Sequence, residues 1–245
     1  MTPFDQLKNL LFIDIETASV VEDYAELPER MKPLWDKKGK RLEAGMEVDE
    51  SFFKWAPIFA EFGRIITIGV GYFLEEADKS LTFKVTHISH DSEAEILTEF
   101  KSMIDRRRTN KKNPERKLVA HNGLEFDYPY ICRRMLINGI SLPKSLNLTG
   151  KKPWEIPHLD TLNMWKFGEY RHFTSLELLA TLFGIESSKT DLDGSQVNTT
   201  YYHKKDLEAI SYYCMQDVIV TAKLYLKLIS LPNLEDESVV FVEKN

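Results

Sequence analysis

In Asn9-Leu10-Leu11-Phe12-Ile13-Asp14-Ile15-Glu16-Thr17 an apolar run reads as a buried strand, and two carboxylates interrupt it one residue apart. Side chains alternate along a strand, so Asp14 and Glu16 share one face. Like charges in a buried strand raise each other's pKa and cost several kcal/mol unless cations or donors compensate, and a metal site resolves that conflict. Asp-x-Glu on its own is a weak signal, because it recurs at Asp91 and Asp206. Both of those precede helical periodicity, where acids cap free amides and oppose the dipole. Asp14 and Glu16 have no such explanation.

Working outward, the stretch from Thr17 to about Gly63 lacks strand periodicity. It is rich in large side chains (Trp35, Phe52, Phe53, Trp55, Phe59, Phe62) and in cations (Lys32, Lys37, Lys38, Lys40, Arg41). It reads as an insertion, at about 18–62, in a single domain spanning 1–245. Two readings fit it: a helical cap that packs its own aromatics, and an aromatic, basic wall for a single strand of nucleic acid.

Beyond it, Arg64–Phe73 and Leu81–His87 alternate and are β-branched, as an antiparallel hairpin requires. Glu93–Ile104 has helical spacing behind the acids of Asp91-Ser92-Glu93. The basic run Arg106-Arg107-Arg108, Lys111, Lys112, Arg116, Lys117 complements the end of that helix. It also lies at the opposite end of the next strand, Lys117–Ala120, from the following motif. That strand leads into His121-Asn122-Gly123 and a helix over Leu124–Leu136 that carries Phe126 and Asp127.

Further on, Ile156–Leu162 reads as a short strand, with Asp160 a cap or supporting acid. Ser175–Phe183 is a helix stopped by Gly184. Lys189–Val197 lacks the downstream Glu of a calcium loop and reads as a turn. Asp206–Leu228 is one long amphipathic helix in which Tyr213 and Asp217, four residues apart, share a face. The tail from Pro232 is acidic, with one apolar patch at Val239–Val242.

The chain has 245 residues with 43% hydrophobic content, enough for a sizeable core. The two cysteines, Cys132 and Cys214, sit in helical patterns and make neither a disulfide framework nor a zinc motif. With no signal-like or membrane-length apolar run, the expectation is a cytoplasmic protein without a membrane partner. A net charge of −6 argues against coating nucleic acid by bulk electrostatics, but acidic metal ligands lower formal charge without excluding a nuclease.

Taken together, Phe12-Ile13-Asp14-Ile15-Glu16-Thr17, Asn122-x-x-x-Phe126-Asp127 and Tyr213-x-x-x-Asp217 resemble the three exonuclease motifs of the DEDD superfamily. The tyrosine (DEDDy) type is indicated, because the histidine type would place His where Tyr212 stands. The set is similar to the proofreading exonuclease domain of family B DNA polymerases, in its stand-alone bacterial form. The insertion departs from the plainest version of that domain.

The resemblance implies an α/β, ribonuclease-H-like mixed sheet, with an antiparallel hairpin plus parallel strands, flanked by helices. It implies a 3′-to-5′ exonuclease (a phosphodiesterase, hence a hydrolase) acting on the 3′ end of single-stranded DNA, with possible association with a DNA polymerase. It also implies two divalent metal ions, Mg2+ or Mn2+, about 3.5 to 4 Å apart across the scissile phosphate. Asp14 would bridge them, Glu16 and Asp217 would complete one, and Asp127 would reach the other through water. Tyr213, a poor base with an ordinary pKa near 10, would orient the attacking water. Thr17, Asn122 and Phe126 would meet the terminal nucleotide. Two other readings stay open: a 3′-to-5′ exoribonuclease, and a non-catalytic nucleic-acid-binding accessory subunit of a polymerase. The intact acid set speaks against the second.

Overall fold

The computed structural model describes residues 2–42, 45–105, 116–169, 171–186 and 192–242. The basic residues at 106–112 and the start of the turn at 189–191 lie outside them. After a short helix α1 (Pro3–Leu7), the acidic stretch forms β1 (Leu10–Ser19). The stretch after it supplies α2 (Lys32–Gly39) and α3 (Val48–Trp55), and the hairpin is β2 (Gly63–Glu75) with β3 (Leu81–Ile88). There follow α4 (Glu93–Asp105), β4 (Lys117–Ala120), α5 (Asp127–Ile137), β5 (Leu159–Asp160), α6 (Thr161–Trp165) and α7 (Leu176–Phe183). A one-turn α8 (Val197–Thr199), α9 (Leu207–Leu228) and β6 (Val239–Phe241) complete the described elements.

One mixed sheet has the order β5-β4-β1-β2-β3-β6. The β1, β2 and β3 strands are antiparallel neighbours, while β4, β5 and β6 join in parallel. This is the expected α/β architecture. Period two sends Leu11, Ile13 and Ile15 to one face with α4 and α5, and Leu10 and Phe12 to the other, against α9. Asp14 and Glu16 continue the α9 face.

A β-bulge follows Glu16: Glu16 pairs with Thr67 and Thr17 with Ile65, leaving Ile66 as the extra residue. Ile66 packs with Ile210 and Tyr213, and Thr67 accepts a hydrogen bond from Ser211 on the same helix. Two consecutive β2 side chains thus face α9.

That helix reaches the sheet because β2 presents glycine at the contact. A Cβ on Gly69 would lie 2.9 Å from Val218 Cγ2 and 3.0 Å from the Cys214 carbonyl oxygen, and one on Gly71 would lie 2.9 Å from Val218. Missing side chains in a strand mark such close approaches. On the other face, Glu93 and Arg134 form a buried, two-pronged ion pair. Glu93 also accepts from the Ile65 N–H, and Arg134 donates to the Ala60 carbonyl. That network locks α4, α5 and the start of β2 together.

The described residues between β1 and β2 form a helical cap, closed by a Val20-to-Phe62 backbone bond of 2.8 Å. Trp35, Phe52 and Phe62 are buried in its own core, with Trp55 and Phe59 packed at the margin. Burial of each large side chain contributes about 1.5–3 kcal/mol. Phe53 instead stacks on His203, 5.1 Å away. Asn198 ties the cap to the end of β1, accepting from the Ser19 N–H and hydroxyl and donating to the Phe53 carbonyl.

Two local expectations are corrected, and one stretch that carried none finds a place. The strand expected over Ile156–Leu162 shrinks to Leu159–Asp160, because Asp160 turns to cap α6. The helix expected from Leu124 starts at Asp127, since Asn122 takes a left-handed φ of +60° and residues 121–126 form a turn. The apolar patch of the tail is not idle: Val239–Phe241 pairs with Phe83–Val85 as β6. No helix among the described residues is long and apolar enough to cross a membrane.

Candidate active site

β4 pairs with β1 only as far as Phe12. Beyond that point Asp127, the first residue of α5, comes to the edge of β1, where the Ile15 N–H favours its charged form. The turn that delivers it is fixed by Asp160. Its carboxylate accepts from the N–H groups of Asn122, Leu124, Leu162 and Asn163, at 2.9 to 3.2 Å. One buried acid therefore caps α6 and shapes the approach to α5, so Asp160 is a cap and a support. His121 adds a second tie, with Nε2 2.9 Å from the Thr174 carbonyl and Nδ1 2.9 Å from the Thr161 hydroxyl.

From the other side, α9 brings Tyr213 and Asp217, with the Tyr213 hydroxyl facing Asp217. Asp206 starts that helix as its N-cap, accepting from the Ala209 N–H. Three remote segments thus deliver Asp14, Glu16, Asp127, Asp217 and Tyr213 to one place.

Glu16 and Asp127 are buried, at 8 % and 3 % exposure, and Asp14 is half-buried. Burial first, then the neighbouring acids, hold Asp14 and Glu16 well above the usual carboxylate range. Asp127 is pushed up to about 7 by burial, with Asp160 and Asp217 adding to it and its backbone hydrogen bonds opposing. Burial, followed by Asp217, Glu16 and Asp14, raises the Tyr213 phenol, so it stays protonated at neutral pH. The groups acting on Glu16 are all carboxylates. Bound positive charge relieves that repulsion, and hard oxygen donors suit Mg2+ or Mn2+, so the residues fit a divalent-metal centre.

The expected nucleotide contacts are placed differently from one another. Thr17 turns to the α5 face, where its hydroxyl lies beside that of Tyr130, which donates to the Pro57 carbonyl at 2.8 Å. Asn122 is half-buried on the left-handed turn, its carbonyl accepting from the N–H groups of Glu125 and Phe126. Phe126 packs on Tyr130 with ring centroids 5.3 Å apart.

One residue of the cluster escaped the sequence reading. Cys214 lies between Tyr213 and Asp217 in sequence, and its sulfur and carboxylate oxygens of Asp14 and Glu16 all lie within 4.8 Å of one another. Helical periodicity marks Cys214 as core; only the glycines at 69 and 71, spaced as one strand face, hint at what it packs against.

Residues 58–239 match a family described as a predicted 3′-5′ exonuclease related to the exonuclease domain of PolB. That span takes in Asp127, Tyr213 and Asp217, while Asp14 and Glu16 precede it. Among curated proteins, the chain is 25% identical over 181 residues to a DNA polymerase of Pyrococcus glycovorans, and 26% identical over 179 residues to DNA polymerase 1 of Pyrococcus abyssi. Each match covers 67% of this chain and 22% of the polymerase, so the chain spans about a fifth of those relatives. Among solved structures, the family B DNA polymerase of Pyrobaculum calidifontis shares the fold. Its TM-score is 0.53 at 16% identity, over 90% of this chain and 24% of that one.

Proposed function

Because the chain belongs to the family of predicted 3′-5′ exonucleases related to the exonuclease domain of PolB, we propose that it removes nucleotides one at a time from the 3′ end of single-stranded DNA. The observation that carries this reading is the convergence of four carboxylates from three segments, with burial first and then the neighbouring acids raising Asp14 and Glu16. A buried cluster of that kind has no use in a binding module or a purely structural domain.

In this reading Asp14, Glu16 and Asp217 hold divalent metal, with Asp127 completing the set. Mg2+ or Mn2+ bound there supplies Lewis-acid stabilisation of the oxygens exchanged in phosphodiester hydrolysis. Tyr213 keeps its proton and orients the attacking water through the hydroxyl that also meets Asp217. Phe126 and Asn122 border the place of the terminal nucleotide, and Thr17 supports it through Tyr130. The cap offers half-buried Trp55 and Phe59 beneath Lys54 and Lys38, whose ammonium groups lie 4.9 and 3.7 Å from the ring centres. Aromatic stacking of bases is worth about 1–3 kcal/mol per base and is indifferent to base identity. A net charge of −6 leaves little surface for gripping a long duplex. The named relatives are DNA polymerases, and work beside a polymerase is part of the proposal.

The test uses matched DNA and RNA strands labelled at the 5′ end, incubated with Mg2+, Mn2+ or a chelator. A descending ladder from DNA that needs metal is expected, with duplex cut more slowly through fraying. A ladder from RNA alone would transfer the activity to RNA, where tolerance of the 2′-hydroxyl decides. Internal fragments would overturn the exonuclease reading.

A further inference from the structure

Cys214 is fully buried on α9, directly after Tyr213 and one turn before Asp217. Its sulfur accepts a hydrogen bond from the Gly69 N–H at 3.1 Å and lies 3.3 Å from Asp14 Oδ2 and 3.4 Å from the Asp14 carbonyl oxygen. Asp14 and Gly69 are partners across the β1–β2 ladder, so one thiol bridges both strands at that pair. The space it occupies exists because residue 69 has no side chain: a Cβ there would sit 3.0 Å from the sulfur. Among the described residues, this thiol is the only hydrogen-bond donor to the Asp14 carboxylate.

We propose that Cys214 is a positioning residue, whose S–H, anchored by the Gly69 amide, fixes the orientation of the Asp14 carboxylate. This rests on the reading of Asp14 as a metal ligand. A carboxylate free to rotate loses ordering free energy each time it captures a cation, and a neighbour that holds it in place recovers that loss. The thiol suits the position better than a stronger donor. It is large enough to fill the gap left by Gly69, at home among Val218 and the strand backbone, and weak enough to leave the negative charge on Asp14.

The test compares the full chain with Cys214→Ala, Cys214→Ser, Asp14→Asn and the Asp14→Asn/Cys214→Ala double variant. Manganese binding is measured by calorimetry, and hydrolysis of a labelled single strand under single-turnover conditions. Cys214→Ala should bind Mn2+ about tenfold more weakly, the lower end of what loss of a ligand-orienting partner does, with KM for the strand unchanged. Cys214→Ser should recover most of the loss. In the Asp14→Asn background Cys214→Ala should add nothing, because the effect runs through Asp14. Folded Cys214→Ala that binds Mn2+ within twofold of wild type overturns the proposal. So does an undiminished loss in the double variant.

Should Cys214→Ala fail to fold, the S–H stretching band of Cys214 can be read by infrared in a Cys132→Ser background. It should shift when Asp14 is changed to Ala, and an unmoved band sinks the proposal. If wild type degrades no strand while Cys214→Ala still weakens Mn2+ binding, the nuclease reading fails and the positioning role stands. Normal degradation with indifferent Mn2+ binding gives the reverse.

Discussion

Asp217 and Tyr213 share one face of α9 but are given opposite tasks by the same surroundings. For Asp217 the charge matters: Asp217→Asn should lower the nuclease rate at least about 10²-fold, the usual cost of losing one strong electrostatic contact in a reaction centre. The variant should keep its fold, and its midpoint of thermal unfolding without metal should equal or exceed that of wild type, since one source of repulsion is gone. Turnover within tenfold of wild type would remove Asp217 from the metal centre. For Tyr213 the hydroxyl matters. Burial and the acids around it keep the phenol protonated, so it can orient water but not deprotonate it. Tyr213→Phe should reduce kcat and leave Mn2+ affinity nearly unchanged. Tyr212 is the control: it is exposed and stacks on Phe241, 6.1 Å away, and Tyr212→Phe should be silent. An equal loss there would mean that the role does not belong to the Tyr213 hydroxyl alone and that its neighbour Tyr212 shares or holds it.

At the scale of elements, the decisive contact is α9 lying across β2. A methyl on Gly69 would meet Val218, the Cys214 backbone and the Cys214 sulfur at about the same distance, 2.9 to 3.0 Å, so no single side chain can rotate away to make room. Gly69→Ala should therefore push the helix outward and destabilise the protein by about 1–3 kcal/mol, the range for overpacked cores. Because the helix carries Asp217 and Tyr213, nuclease activity should fall with it. Urea unfolding together with a rate measurement checks both, and an unchanged midpoint would show that α9 has slack. β4 makes the complementary contribution by ending early. Had its pairing with β1 continued past Phe12, Asp127 could not have reached the Ile15 N–H.

For the whole molecule, the acid cluster and a buried histidine act on stability with opposite signs. Asp127 has a folded pKa of about 7, above its unfolded value, so its contribution is fully present below about pH 4 and is lost as pH rises towards 7. Asp14 and Glu16 shift in the same direction. His158 is the reverse case. Burial lowers it to about 4, and it is held neutral between the Leu118 N–H and the Ser145 carbonyl. Its contribution is therefore present above about 6.5 and lost as pH falls towards 4. Without metal, the acids outnumber the histidine and the melting temperature should fall between pH 5 and 7.5. With saturating Mn2+ the acids are neutralised, and the melting temperature should rise from pH 5 to about 6.5, where the unfolded chain loses its proton at His158 while the folded one is already neutral. A metal-free protein that gains stability across that window would show that the cluster does not carry the repulsion described here.

The sequence by itself determined the strand with its two acids, the hairpin, and the helices read over Glu93–Ile104, Ser175–Phe183 and Asp206–Leu228, and with the family resemblance it pointed to the mixed α/β sheet. Each is written in a local period of hydrophobic residues or a local cap, and a local signal survives in one dimension. It also marked Asp14, Glu16, Asp127, Tyr213 and Asp217, because short motifs in order along a chain are legible without coordinates. Only the tertiary structure decided how they meet. The early end of β4, the four amides gathered by Asp160, the glycine gap under α9 and the thiol within reach of Asp14 all join residues far apart in sequence. The cap's aromatics were legible as a group, but which would be buried depended on the cap closing over Trp35. The tail showed only an apolar patch at Val239–Val242, because a three-residue strand has too little periodicity to announce itself. Its place was settled by the free edge of β3, which offered unpaired backbone groups to whatever segment could reach them.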